Sequence, residues 1–145
     1  MSHDLILKKL EQMKVLIAEL SSLLVLSFSE FKSNFRNIRS AERDFQLIVE
    51  LASDINAHIV TELGGETPDT YRESFKHMVL AKVLDEKFLK DFVSSSNLRN
   101  ILIHEYDFDE DNFIFYKSAN QFIPLYNEYI KSIQEYLRNK EEKVN

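Results

Sequence analysis

The chain has 145 residues, enough for one domain to bury a core of its own, and its 44% hydrophobic and 29% charged residues exclude a wholly disordered polypeptide. With only 2 Gly and 2 Pro it lacks the turn chemistry of an all-β sandwich or barrel and the glycine-rich phosphate loops of Rossmann and P-loop folds. Cys is 0, which excludes disulfides, Cys nucleophiles and Cys-ligated zinc, and a net charge of −6 does not favour global attraction to nucleic acid, so any such contact needs a local basic patch.

The N-terminal stretch from Met1 to Lys14 has no basic start followed by an apolar run and a small-residue cleavage site, so it does not read as a secretory signal. The most apolar run, Leu23 to Phe28, is far short of the ~20 residues that span a bilayer. The expectation is a soluble, cytoplasmic protein of one domain over residues 1–145, with no membrane partner.

The first predicted helix covers about Asp4 to Phe28. Its apolar seam, Ile6, Leu10, Met13, Ile17, Leu20 and Leu24, advances by alternating steps of four and three. The second, about Phe31 to Leu63, carries Ile38, Ala41, Phe45, Ile48, Ala52, Ile55 and Ile59 in the same rhythm, and Gly64-Gly65 stops it. Thr67-Pro68-Asp69-Thr70 is the clearest loop. Thr70 followed by Glu73 reads as a capping box opening a short helix through Tyr71, Phe75, Met78 and Val79.

Asp85 is placed to cap the next segment, which carries Phe88, Phe92, Leu98 and Leu102, with a local break expected at Ser94 to Asn97. The acidic run Asp107, Asp109, Glu110 and Asp111 suits a loop and the first turn of a last helix, where negative charge meets the positive helix end. That helix carries Tyr116, Ala119, Ile123, Tyr126, Ile130, Ile133 and Leu137. Pro124 is expected to kink or divide it, and the polar residues beyond Leu137 to fray. No strand finds a partner, since Phe113 to Tyr116 would stand alone. The fold class is an all-α bundle of four or five helices.

Three groups of residues carry potential chemistry. In the first, Arg99, Asn100, His104 and Tyr106 fall within eight positions beside the acidic run. On a helix Asn100 and His104 share a face, while Arg99 and His104 lie about 140° apart around the axis, within reach of a long guanidinium or of a second subunit. An imidazole that moves a proton near neutral pH and a guanidinium that grips phosphate suit phosphodiester cleavage without a metal, although the same residues also fit a purely structural helix end. The second group is Lys32, Arg36, Arg39 and Arg43, spaced as one basic stripe at the start of the second helix. It fits a phosphate backbone, an acidic partner surface or a solvated face. The third, Asp54, His58 and Glu62, has a spacing open to metal ligation or to a hydrogen-bonded network facing the interior or a dimer cleft. With no further His or Cys clustered nearby, no metal site and no cofactor are assigned, and His3 and His77 are left as surface residues.

The spacing Arg99, four residues, His104, one residue, Tyr106 resembles the R-x4-H-x-Y signature of the HEPN superfamily, in particular the HepT toxins paired with minimal nucleotidyltransferase (MNT) antitoxins. Asn100 matches the polar residue often found after that arginine. The resemblance extends to Ala41 to Gln46, Asp54 to Ile59 and Tyr71 to Phe75, in order and at the expected intervals. It implies a metal-independent endoribonuclease acting as a homodimer on an RNA substrate. Arg99 and His104 would then be catalytic, with Asn100 orienting them, and Tyr106 would be the site at which the partner MNT nucleotidyltransferase adds AMP to silence the toxin. The alternative within the same fold is a non-catalytic HEPN module that binds a nucleotide or a nucleotidyltransferase.

Overall fold

The computed structural model describes the chain over residues 3–104 and 108–144, and its side chains over residues 3–98 and 111–141. All regular structure there is helical. Helix α1 spans His3–Leu24, α2 Phe28–Lys32, α3 Phe35–Glu62, α4 Tyr71–Leu80, α5 Leu89–His104 and α6 Phe108–Val144, and a 3-10 turn over Glu86–Phe88 leads into α5. None of these helices is long and apolar enough to cross a membrane.

The seams predicted for the first two long helices are the buried faces. All six apolar positions of the first and all seven of the second lie in the core. Helices α1 and α3 pack along each other, α6 lies against α1, and α4 and α5 close the bundle against the second half of α3.

The helix count exceeds the four or five expected because the segment after Phe31 is not continuous. Serine and asparagine compete with the helix for backbone groups, and here they punctuate it. Ser27 caps α2 by accepting from the Glu30 amide, and Asn34 caps α3 by accepting from the Arg36 amide at 2.9 Å. Helix α2 is pinned to α6 by rings: Phe28 packs on Phe113 and Tyr116, Phe31 packs on Tyr116, and the Tyr116 hydroxyl donates to the Leu26 carbonyl at 2.6 Å.

The glycine stop is a complete Schellman motif. Gly64 has φ +90°, its amide donates to the Thr61 carbonyl, and the Gly65 amide donates to Val60. Helix α4 ends the same way without a glycine. Lys82 takes the left-handed position at φ 62°, its amide donating to Val79 and that of Val83 to Met78. Sequence offers no signal for this stop, because lysine there is adopted against its own preference.

The break expected at the serines is absent, and Pro124 does not divide its helix. Ser94, Ser95 and Ser96 donate to carbonyls one turn back, at Lys90 and Phe92, so the serines stay within α5 rather than breaking it. Pro124 lies inside α6 without dividing it, and the polar tail after Leu137 stays helical to Val144.

The centre of the bundle is aromatic and hydrogen-bonded. Phe75 of α4 stacks on Phe92 of α5 with centroids 4.8 Å apart and planes 6° from parallel. Tyr126 and Tyr129 of α6 present their edges to Phe92. The Tyr126 hydroxyl meets the Ser95 hydroxyl at 2.7 Å. The buried Tyr129 hydroxyl lies 2.6 Å from Asn56 Oδ1 and 2.9 Å from the Ala52 carbonyl, and the Asn56 amide donates to Ser74 at 3.1 Å. Removing the hydroxyl leaves buried acceptors unpaired. Tyr129→Phe is therefore expected to destabilise the fold by about 1–3 kcal/mol, read as a lowered urea midpoint with an unchanged m-value.

Candidate functional site

Helix α5 has a run of serines at its centre, and it is held by Phe92 and Leu98 in the core and by its serine hydroxyls. Its last six positions carry Arg99, Asn100 and His104, placed by the backbone on one helix, with His104 as its final residue. The sequence expectation of a shared helix is met. Tyr106 lies outside the described residues.

The four predicted basic residues divide. Arg36, Arg39 and Arg43 lie on α3 at helical spacing and are exposed, but Lys32 is the last residue of α2, beyond the bend at Ser33 and Asn34. Four residues of spacing therefore do not align Lys32 with Arg36, and the single stripe shortens to three. Local rings take up part of the charge: Lys32 Nζ sits 5.4 Å from the centre of the Phe28 ring, and the Arg36 guanidinium 5.7 Å from that of Phe35. Arg39 is paired with Glu42, whose carboxylate is mostly buried, at 2.8 Å.

Asp54, His58 and Glu62 follow one another along α3 but do not form the interior hydrogen-bonded network expected of their spacing: Asp54 and Glu62 are exposed, and each reaches its own partner on a neighbouring helix. Asp54 meets Lys9 of α1 at 3.5 Å. Glu62 accepts from the Tyr136 hydroxyl of α6 at 2.8 Å and contacts His3 Nε2 of α1 at 2.8 Å. Burial would raise the Glu62 pKa, and these two hydrogen bonds together with the positive charge of His3 and Lys140 outweigh it, holding the carboxyl below its ordinary value. His58 is pushed below its ordinary value by burial and by nearby positive charge, including Lys9. His3 and His77 are half-buried rather than surface residues, His3 through its contact with Glu62. Among the described residues no three His, Cys, Asp or Glu side chains are disposed to hold a metal ion.

One buried acid lies outside the predicted set. Asp44 of α3 is 6% exposed, and its Oδ2 has no hydrogen-bond partner among the described residues. Burial, and then the nearby Glu19 carboxylate, push its pKa up to about 6. Sequence could not single it out, because a carboxylate one residue from the apolar seam reads as the edge of a solvated face.

A second feature is a cleft of about 450 Å³ beside α5. Its walls are Ser53 and Ala57 of α3, the Pro68–Arg72 stretch that opens α4, and Ser96 and Asn97 of α5. Several of these residues belong to segments singled out in the sequence, as loop, cap, serine run or family resemblance, and none of them was read as part of a site.

Comparison with known proteins places this arrangement. The family model described as Ribonuclease HepT-like matches residues 13–142. The chain belongs to the HepT-like ribonuclease family. A relative, the tRNA nuclease HepT of Aphanizomenon flos-aquae (strain 2012/KM1/D3), is 35% identical over 119 residues, covering 81% of this chain and 79% of that protein. Among solved structures, a chain of the tri-AMPylated Shewanella oneidensis HEPN toxin in complex with MNT antitoxin superposes with a TM-score of 0.79 at 21% identity, covering 93% of this chain and 99% of that one. A mutant form of the MntA–HpeT toxin–antitoxin complex gives a TM-score of 0.80 at 20% identity over 91% and 98% of the two chains. At such identities these likenesses establish the shared HEPN fold, and the family membership rests on the sequence matches.

The raised pKa of Asp44 carries a sign. Between about pH 4 and pH 6 the folded chain holds a proton there that the unfolded chain has released, so this residue's contribution to stability falls as pH rises through that window. Asp44→Asn is expected to melt at a higher temperature than the unsubstituted protein above pH 6, with the gain vanishing near pH 4. Thermal melts across that range check it.

Proposed function

We propose that this chain is the ribonuclease toxin of a toxin–antitoxin pair, a metal-independent endoribonuclease that works as a cytoplasmic homodimer and is silenced by AMP addition to Tyr106 from a cognate MNT-type nucleotidyltransferase. The observation that carries the reading is the R-x4-H-x-Y spacing of Arg99, His104 and Tyr106 in the sequence, with Arg99 and His104 in the last six positions of α5, in a chain of the HepT-like ribonuclease family. The name of the 35% identical relative makes tRNA the first RNA to test, and the complexes of HEPN toxin with MNT antitoxin support the choice of partner.

In this mechanism His104 takes the proton from a ribose 2′-hydroxyl. The 2′-oxygen attacks the adjacent phosphorus, and the 5′-oxygen leaves and takes up a proton, supplied by the imidazolium or by its counterpart in the second subunit. Arg99 offers its fork of donors to the charge that grows on the phosphoryl oxygens, and Asn100 orients the imidazole or the phosphate. Two subunits facing one cleft double the number of cationic and proton-transferring groups, which a single helix end supplies sparsely. Arg36, Arg39 and Arg43 of α3, with Lys32 of α2, offer further contacts for the RNA backbone or the antitoxin.

Arg99→Ala and His104→Ala are each expected to lower the cleavage rate by about 10²–10⁴-fold with an unchanged far-ultraviolet circular dichroism spectrum, while unsubstituted protein keeps its activity in EDTA. A well-folded double variant that still cuts RNA would reject the assignment. A chelation loss restored by Mg²⁺ or Mn²⁺ would reject the metal-independent mechanism.

AMP on Tyr106 would bring a negative phosphate and a bulky adenosine next to the arginine that must receive the RNA phosphate. Tyr106→Phe is accordingly expected to resist silencing by the nucleotidyltransferase. Mass spectrometry after incubation with that enzyme and ATP should find AMP on the peptide containing Tyr106, and modification confined to Tyr116 or Tyr126 would rule the position out.

A further inference from the structure

The segment Tyr71 to Phe75 is largely explained by the fold, with one exception. Ser74 and Phe75 are buried, the Glu73 amide completes the Thr70 cap at 3.1 Å, and Tyr71 packs partly against the core. Arg72 is exposed and forms no ion pair or hydrogen bond with any described residue. Its place is the rim of the cleft between α3, α4 and α5.

Three observations say what that cleft suits. Its volume, about 450 Å³, falls within the ~300–1,000 Å³ typical of small-ligand sites. Its lining joins a guanidinium and the N-terminal turn of α4, both suited to phosphate, to the amide of Asn97, the hydroxyls of Ser53 and Thr70, and the half-buried ring of Tyr71. Asp69 is the carboxylate in the lining, and it suits a donor such as a ribose hydroxyl. These are the parts of a nucleotide site: an anion grip, an aromatic edge for the base, and an amide that can read it.

The third observation is register. Asn100 follows Asn97 by three residues and Ser96 by four, and His104 follows Asn97 by seven. On one continuous α5 these positions fall on the same side of the helix, and Asn97 and His104 are about 10 Å apart along its axis. The cleft and the histidine therefore lie along one stripe of α5.

We propose that this cleft is a subsite for the nucleotide adjoining the scissile phosphate in a single-stranded segment of RNA, with Arg72 holding a backbone phosphate and Asn97 reading the base edge. The assignment rests on the ribonuclease reading above. It makes Arg72 a binding residue and Asn97 a determinant of which base flanks the cut.

The test uses the full chain and short single-stranded RNA oligonucleotides randomised on either side of the cleavage position. Cleavage is measured in the otherwise unsubstituted protein, and affinity by fluorescence anisotropy in a His104→Ala background that leaves the RNA intact. Arg72→Ala is expected to weaken binding about tenfold or more, to raise KM more than it lowers kcat, and to reduce the slope of log affinity against log salt by about 0.7, the single-strand value for one phosphate. Arg72→Lys should restore the salt slope in part. Asn97→Ala should flatten the base preference beside the cut. Arg72 and Asn97 are both exposed, so circular dichroism is expected to stay unchanged in each variant. Unaltered affinity and salt slope in Arg72→Ala, together with an unaltered base preference in Asn97→Ala, would overturn the proposal and leave the ribonuclease reading standing. So would an Arg72→Ala variant that cuts RNA normally but no longer binds the nucleotidyltransferase, since the cleft would then be a protein contact. If the unsubstituted protein cuts no RNA, the ribonuclease reading fails, and with it the subsite that rests on it.

Discussion

The stack of Phe75 on Phe92 is the contact on which the rest of the arrangement depends. It joins the helix that opens the cleft to the helix that carries Arg99, Asn100 and His104. Helix α5 has a serine run at its centre and its apolar residues are not gathered on one face, so local propensity and amphipathicity give it little independent stability. Ring pairs are worth about 0.5–1.5 kcal/mol each beyond the area they bury, and Phe92 pairs with Phe75, Tyr126 and Tyr129. The tyrosine hydroxyls then have to find partners in a dry core. They find Ser95 on α5 and Asn56 on α3, and Asn56 in turn binds Ser74 on α4. Polar satisfaction thus fixes the relative positions of α3, α4, α5 and α6 more sharply than apolar packing alone.

Electrostatics follow from the same geometry. Under the ribonuclease reading, an acidic chain has to keep carboxylates away from the phosphate path or neutralise them. Glu42 is drawn inward and paired with Arg39, Glu62 is tied to Tyr136 and His3, and Asp44 is buried, where its ionised form is disfavoured. Exposed cations remain on α3 at Arg36 and Arg43 and on α4 at Arg72. Local arrangement, rather than the net charge of −6, therefore decides where a polyanion can approach.

The amino-acid sequence by itself determined the helices and their buried faces. The seams from Ile6 to Leu24 and from Ile38 to Ile59 repeat at the helical period, and burying such a stripe has few solutions other than a bundle. The glycine stop at Gly64 and the Thr70 cap were equally legible, because each depends on the chemistry of one or two residues. The ordered spacing of Arg99, His104 and Tyr106 pointed to the HEPN family in the same way. Tertiary structure decided what depends on distant partners. The left-handed Lys82 and the unbroken serine run in α5 arise where packing outweighs local preference. Tyr129 continues the α6 pattern three residues after Tyr126, yet its role at the centre of the polar network exists only once α3 lies opposite. The cleft that brings Arg72 beside Asn97 joins residues 25 positions apart in the chain, and no periodicity encodes that meeting, because a helix pattern specifies which face is buried but not which neighbour covers it.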